Sequence, residues 1–108
     1  MALTRAKSGD VIDICPLGPA LATARTAALV KTDRLEIIRL VIPAGKVIPG
    51  HQVAGEATIQ CLEGQIALTI GDKTHELQAG QLVYLAGKEP HSVRGICDAS
   101  VLVTILLR

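Results

Sequence analysis

Aromatic side chains are almost missing from this 108-residue chain, which contains no Phe, no Trp and a single tyrosine, Tyr84. Proteins that bind single-stranded nucleic acid stack bases on aromatic rings and follow the backbone with basic side chains. The charge balance offers no basic excess, because 11 Lys and Arg residues stand against 10 Asp and Glu residues, for a formal net charge of +1. We therefore expect no nucleic-acid partner.

Cysteines are few, and Cys15, Cys61 and Cys97 are odd in number and form no CxxC pair. This usage matches neither a disulfide framework nor a zinc knuckle. Cys61 lies in an apolar run and is expected to be a small core residue, whereas Cys97 lies in a predicted loop. Neither has a nearby base in the sequence that would activate a thiolate, so we expect no catalytic cysteine. Because the cysteines form no disulfide framework, we expect a reducing, cytoplasmic setting.

Long hydrophobic runs are missing as well. The apolar stretch PLGPALATA, residues 16–24, is interrupted by Pro and Gly, and Asp10 and Asp13 precede it where a secretory signal carries positive charge. No stretch approaches the length of a membrane-spanning helix. We expect no membrane partner and no export.

Short aliphatic runs separated by turn residues are what the chain does contain. The composition is 49% hydrophobic, built from Val, Ile, Leu and Ala, and β-branched side chains favour strands. Ile66, Leu68 and Ile70 alternate with smaller or polar residues, and Gly71-Asp72 then predicts a tight hairpin turn. Strands are predicted at residues 35–42, 56–62, 65–70, 73–77, 82–86 and 100–107.

This pattern predicts an all-β sandwich or small barrel in one domain. Residues 1–30 are expected to form an N-terminal arm and the first strands, and residues 31–108 the barrel. Within the arm, the Ala-rich segment 19–30 is compatible with a short helix or with an irregular conformation.

The three histidines lie in different contexts. His75 lies in the middle of a predicted hairpin, where an exposed strand face is expected. His51 follows Pro49-Gly50 and His91 follows Pro90, so each lies where a turn meets a strand. In a closed barrel, strand ends that are distant in sequence can meet at one mouth, a common ligand site, and imidazole is a frequent transition-metal ligand. From the residues alone, a coincidental pair of turn histidines remains the alternative.

The spacing around these histidines resembles the two motifs of the cupin superfamily over about residues 35–107. In the first motif, Gly45 is followed after five residues by His51, and the motif ends at Gly64. In the second, Gly80 is followed by QLVYL, AGK, Glu and Pro, and then by His91. The resemblance implies a double-stranded β-helix (a jelly-roll, RmlC-like barrel), a small-molecule ligand in the barrel mouth, and a divalent metal. It also implies a homodimer, for which the arm and the C-terminal strand SVLVTILL offer surface.

Departures from the motifs weaken the implied metal site. The second histidine of the first motif is replaced by Val53, and the expected Glu position falls on Ala57, with Glu56 one residue early. The Pro and Gly positions of the second motif are Ala86 and Lys88, so Gly87 is expected to supply the flexible backbone there. Of the four family ligands, His51 and His91 carry over.

Strand alternation leaves two arrangements open, because Glu56, Thr58 and Gln60 share one face while Ala57, Ile59 and Cys61 share the other. If the first set faces inward, Glu56 and Gln60 join the two histidines in a two-His-one-carboxylate site for Fe, Mn, Zn or Ni. If the second set faces inward, as the family spacing implies, the pocket floor is apolar. Thr58 and Tyr84 are candidate ligand-pocket residues, although core packing is the simpler role for Tyr84.

Three hypotheses for function follow. The first is a metal-assisted enzyme of oxygenase, isomerase or lyase type, with His51 and His91 as ligands and Glu56 or Gln60 as a third ligand or proton shuttle. The second is a metal-free barrel that binds or senses a small ligand. The third is an interaction module with incidental histidines. The sequence favours the first narrowly over the second.

Overall fold

The structure, a computed structural model, describes residues 5–51 and 54–107. In this part of the chain nine strands follow one another with short connections, preceded by a short 3₁₀ helix at Gly18–Thr23. The strands are β1 (Ala27–Lys31), β2 (Leu35–Ile42), β3 (Val47–His51), β4 (Ala57–Glu63), β5 (Gln65–Ile70), β6 (Lys73–Gln78), β7 (Leu82–Leu85), β8 (His91–Gly95) and β9 (Ala99–Leu106).

These strands form two antiparallel sheets. The five-stranded sheet has the order β1-β2-β9-β4-β7, and the four-stranded sheet has the order β3-β8-β5-β6. Neighbours in each sheet are mostly distant in sequence, as in a jelly roll, where the chain passes back and forth between two layers. The all-β prediction is confirmed.

The core lies between the sheets and is aliphatic. In β9 the alternation is regular, with Ala99, Val101, Val103 and Ile105 all buried and facing the other sheet. Burying a Val, Leu or Ile side chain contributes roughly 1.5–3 kcal/mol, so a core of this kind is stable without aromatic residues. Other members include Ile42, Ile59, Cys61, Ile66, Leu68, Leu77, Leu85 and Val93.

All six predicted strands are present, each within one residue of its predicted ends, and the Gly71-Asp72 turn joins β5 to β6 with Ile70 paired to Lys73. The Ala-rich segment 19–30 contains part of the 3₁₀ helix and most of β1. The C-terminal strand β9 lies between β2 and β4, so it is not a sheet edge that a partner chain could extend. The domain boundary after residue 30 stays a prediction. Among the described residues, no helix has the length and apolar character to cross a membrane.

The N-terminal arm runs along the outer face of the five-stranded sheet, the face turned away from the core. Near its start, the Ala6 N–H donates to the carbonyl of Leu29 in β1 at 2.9 Å. Further on, Nη2 of Arg39 in β2 donates to the carbonyl of Asp13 at 3.3 Å, and Arg39 is only 8% exposed. The arm therefore covers a charged side chain that the outer face would otherwise expose to water.

Glu63, at the end of β4, holds the arm at a second point. Its carboxylate accepts the N–H groups of Leu17 at 2.9 Å and Gly18 at 3.1 Å, and the Ser100 hydroxyl at 2.6 Å. Partial burial raises the pKa of Glu63, but these hydrogen bonds and the nearby charge of Arg39 outweigh it, so the pKa lies below its ordinary value. No pattern in the sequence indicated this attachment.

Candidate functional site

The space between the two sheets contains a cavity of about 90 Å³, called here the barrel cavity. Its walls come from both sheets, because alternate residues of each strand face inward. Most of the lining is aliphatic, and the polar members are His91 and Ser92. The lining residues are Ile38, Leu40, Ile48, Ile59, His91, Ser92, Val93, Val103 and Ile105.

His91 is the first residue of β8 and is 7% exposed. Its Nδ1 lies 3.1 Å from the carbonyl oxygen of Glu89, two residues earlier in the turn. Because a carbonyl oxygen only accepts, Nδ1 carries the proton in this contact, and in a neutral imidazole the lone pair then lies on Nε2. The turn thus helps to hold the orientation of the ring.

The backbone of His51 pairs with that of His91. His51 is the last residue of β3, and the antiparallel register of β3 and β8 places it opposite His91, after an irregularity that follows Ile48. Two histidines forty residues apart in the sequence are therefore brought to one register position. His75, by contrast, lies on the exposed face of β6 in the same sheet, as predicted.

The face of β4 decides between the two predicted arrangements. Ala57, Ile59 and Cys61 are 5%, 1% and 0% exposed and face the core. Glu56 and Gln60 consequently face away from it, so their predicted role as metal ligands beside His91 is wrong: the backbone of β4 lies between them and the barrel cavity. Gln60 is paired instead with Leu82 and Leu102 on the outer face.

Thr58 and Tyr84, predicted for the barrel mouth, also lie on the outer face. They are cross-strand neighbours, and together with Glu56, Ala57, Thr104 and Leu106 they line a second recess, called here the outer pocket. Tyr84 is 60% exposed, so it is neither a core residue nor a hydroxyl of the barrel cavity. Its phenol donates to Oε2 of Glu56 at 2.5 Å, and this bond to a carboxylate raises the pKa of Tyr84.

The donor set does not fit a complete metal site of the kind the motifs imply. The expected Glu position is the methyl side chain of Ala57, and the other missing ligand position, Val53, lies outside the described residues and has no donor atom. Among the described residues, no group of three or more His, Cys, Asp or Glu side chains could hold a metal ion. Transition-metal sites in proteins commonly use three or four protein donors.

The turn before His91 closes differently from the prediction. Lys88, at the family's Gly position, adopts φ 64° itself, a left-handed conformation that is uncommon for a residue with a side chain. Gly87 is needed for a different reason, since a Cβ there would lie 2.6 Å from the Ala54 carbonyl oxygen. Gly87, which was expected to supply the flexible backbone of this turn, is not among its left-handed residues, and close packing explains this glycine.

Comparison with known proteins agrees with this architecture. The sequence profile of the cupin domain matches residues 38–106, which is more than half of the chain, and the chain belongs to the cupin family. No curated protein matches it in sequence. The fold is compatible with binding a small molecule.

Solved structures show the same fold at low sequence identity. A cupin superfamily protein from Desulfitobacterium hafniense is 16% identical, with a TM-score of 0.76 and coverage of 92% of this chain and 100% of that one. An RmlC-like cupin from Desulfovibrio desulfuricans is 25% identical, with a TM-score of 0.70 and coverages of 94% and 97%. Salicylate 1,2-dioxygenase from Pseudoaminobacter salicylatoxidans, in complex with gentisate, is 16% identical, with a TM-score of 0.69. The match covers 74% of this chain and 24% of that one.

Proposed function

We propose that the barrel cavity binds a small, mostly apolar organic molecule and that the imidazole of His91 hydrogen-bonds its polar group. The observation that supports this is the inward direction of Ile59, Val103 and Ile105, which makes the wall opposite His91 aliphatic. Small-molecule sites of this kind combine apolar walls with a few fixed polar groups. His91 is fixed in this way by the Glu89 carbonyl.

The size of the cavity limits the ligand. A cavity of about 150 Å³ takes one benzene molecule, so on that scale 90 Å³ holds about four non-hydrogen atoms. A larger ligand would have to extend out of the cavity. Binding of such a small molecule is weak, with a ceiling of about 1.5 kcal/mol for each non-hydrogen atom.

Two probes of similar size test the proposal by NMR. Isopropanol carries a hydroxyl for His91, whereas xenon needs only apolar space. We expect saturable shifts of the Ile59 and Val103 methyl signals with both probes, and of the His91 ring signals with isopropanol. Shifts that rise linearly with probe concentration, or that spread evenly over the core, would contradict the proposal.

Matched core variants separate cavity binding from loss of stability. Ile59→Val enlarges the barrel cavity, whereas Ile66→Val removes the same group from a core position that does not line it. Each substitution should cost about 0.5–1.5 kcal/mol of stability, but only Ile59→Val should change xenon affinity.

His91→Leu should abolish the isopropanol response and keep the xenon response, while His75→Ala should leave both unchanged. A His91→Leu variant that still binds isopropanol normally would remove His91 from the site.

A weak divalent-metal site is the second candidate, because the backbone register brings His51 opposite His91. A metal-assisted enzyme of oxygenase, isomerase or lyase type would need this metal site. It would also need donor atoms beyond the two histidines. The test is metal analysis of protein purified without added metal or chelator. His51→Ala and His91→Ala should each remove any bound metal, and His75→Ala should not. Less than about a tenth of an equivalent of metal in the parent protein would contradict the metal site, and so would an equal loss of metal in all three variants.

A homodimer and a reducing, cytoplasmic location remain proposals. The arm supports the first, because Val11 is 98% and Ile14 37% exposed there. The second is supported by Cys15, Cys61 and Cys97, none of which forms a disulfide. Sedimentation should give a dimer mass that Val11→Asp reduces to a monomer mass, and a monomeric parent protein would contradict the pairing.

A further inference from the structure

The outer pocket is larger than the barrel cavity and lies on the opposite side of β4. Its volume is about 310 Å³, against about 90 Å³ for the barrel cavity. This value falls within the range of small-molecule sites, which begins at roughly 300 Å³. The paired strands β4 and β9 lie between the two recesses and contribute side chains of opposite faces to them, so the outer pocket is a separate candidate site.

Strand register arranges the polar side chains of the outer pocket. Thr58 in β4 is directly opposite Thr104 in β9 on one side and Tyr84 in β7 on the other. Residues paired in this way carry their side chains on the same face of the sheet, at about 5 Å between Cβ atoms. Glu56, two positions before Thr58, extends the row on that face, and Leu106 adds an aliphatic side chain.

The charge of this row is negative. Among the described residues that line the outer pocket, Glu56 is the one acidic residue, and no basic residue is present. The phenol of Tyr84 bonds to Oε2 of Glu56, and a carboxylate has about four lone-pair sites, so acceptor capacity remains. The hydroxyls of Thr58 and Thr104 can accept further N–H groups. A carboxylate or phosphate ligand would meet like charge here.

The exposed ring of Tyr84 also favours a cation. It is the one Phe, Tyr or Trp side chain of the sequence, and it is 60% exposed. Aromatic faces attract ammonium groups through the ring quadrupole. The methyl groups of the threonines and the side chain of Leu106 provide apolar surface for an alkyl chain.

We propose that the outer pocket binds a primary alkylammonium ion. The ammonium group donates to the Glu56 carboxylate and to the hydroxyls of Thr58 and Thr104, and it lies against the ring of Tyr84, while the alkyl chain packs on Leu106. A neutral polyol would use the same hydroxyls but would gain nothing from the carboxylate charge. A second copy of the chain would cover Tyr84 instead and leave no room for the ion.

Tyrosine emission reports on this site alone, because the chain has one tyrosine and no tryptophan. The probes are n-butylammonium, n-butanol and n-butyrate, which share the alkyl chain and differ in charge, added to the full chain at constant ionic strength. We expect n-butylammonium to change the emission of Tyr84 saturably and to shift the amide signals of Thr58 and Thr104. The alcohol and the carboxylate should produce no saturable change.

Isosteric variants test the role of charge. Glu56→Gln keeps the shape and removes the charge, and it should weaken n-butylammonium binding at least about tenfold, as expected for hydrogen bonds to an ionised group. Glu76→Gln makes the same change on an exposed face of β6 in the other sheet and should leave binding unchanged. Tyr84→Phe keeps the ring and should bind within about threefold of the parent protein, measured by NMR.

Three results would overturn the proposal. The first is equal binding of n-butanol and n-butylammonium, and the second is equal weakening by Glu56→Gln and Glu76→Gln, which would indicate only a general charge effect. The third is a dimer in sedimentation that Tyr84→Ala converts to a monomer, because the outer pocket would then be part of a subunit interface.

Discussion

At the scale of single residues, Gly64 combines two constraints that a side chain would violate. Its φ is +77°, and a Cβ would lie 2.2 Å from the Asp98 carbonyl oxygen and 2.9 Å from the Ala99 Cβ. We expect Gly64→Ala to lower the free energy of unfolding by at least about 3 kcal/mol, the sum of left-handed strain and steric overlap. Urea denaturation measures this loss.

Gly80 provides the matched control, because its φ is +91° but a Cβ there meets nothing within 4 Å. Gly80→Ala should cost about 1–2 kcal/mol, the strain alone. Equal losses in the two variants would show that the overlap at Gly64 relaxes at no cost. Gly64 ends the first cupin motif and Gly80 begins the second. At both positions the backbone is left-handed, a conformation that favours glycine.

Tyr84 gives a second prediction at this scale. Its hydrogen bond to Glu56 raises the pKa of the phenol, because ionisation would break the bond and place two negative charges together. Spectrophotometric titration should therefore give one tyrosine with a pKa above the ordinary value of about 10, and Glu56→Gln should lower it. Glu76→Gln is the control. An unchanged pKa in Glu56→Gln would mean that the Glu56–Tyr84 bond does not form in solution.

At the scale of the strands, sequence patterns predicted those elements that are aliphatic runs bounded by turn residues or hairpin segments next to them. The run 35–42 coincides with β2 and the run 65–70 with β5. The strands β3 and β8 were missed because they contain Pro or Gly residues that also suit turns. Short strands of this kind depend on pairing with their neighbours rather than on local preference.

The candidate site was predicted only in part, for a reason of register. The positions of His51 and His91 followed from the motifs, but Glu56, Gln60, Thr58 and Tyr84 were placed on the wrong side of the sheet. A shift of one residue reverses the face of every side chain in a strand, and one sequence does not fix that shift. The spacing from Gly64, which put Ala57 at the ligand position, was the signal that indicated the correct face.

The attachment of the arm through Glu63 gives a prediction at this scale. Leu17 and Ser100 donate to Oε2 and Gly18 donates to Oε1, so an amide in place of the carboxylate leaves at least one donor without an acceptor. A net hydrogen bond contributes about 1 kcal/mol, so Glu63→Gln should open the arm about fivefold more often. Trypsin cleavage after Lys7 and Arg25, both exposed, measures that opening.

The same attachment should weaken in acid. The pKa of Glu63 is lowered in the folded protein, so its contribution to stability is complete above the ordinary Glu pKa and is lost as pH falls through the folded value. Arm opening in the parent protein, measured by hydrogen exchange, should therefore increase below about pH 4.5, and Glu63→Gln should reduce that increase. Glu76→Gln should behave like the parent protein, and the same pH dependence in Glu63→Gln would assign it to another group.

At the scale of the whole molecule, the paired strands β4 and β9 separate two candidate sites. Ile59 of β4 and Val103 of β9 line the barrel cavity, whereas Thr58 of β4 and Thr104 of β9 line the outer pocket. Both strands are paired on each side, β4 with β7 and β9, and β9 with β2 and β4, and their inward residues are close-packed in the core. A strand held in this way has little freedom to shift when one face is occupied.

We therefore expect the two sites to bind independently. Saturating isopropanol should change the affinity for n-butylammonium by less than about twofold. By reciprocity, saturating n-butylammonium should change the affinity for isopropanol by the same factor. Paired NMR titrations, with Thr104 reporting on the outer pocket and Val103 on the barrel cavity, measure both affinities in one sample. A change of about fivefold or more would show that β4 or β9 has two arrangements, which each ligand favours differently. In that case occupancy of one face would regulate the other, and the aliphatic core between them would be less rigid than its packing indicates.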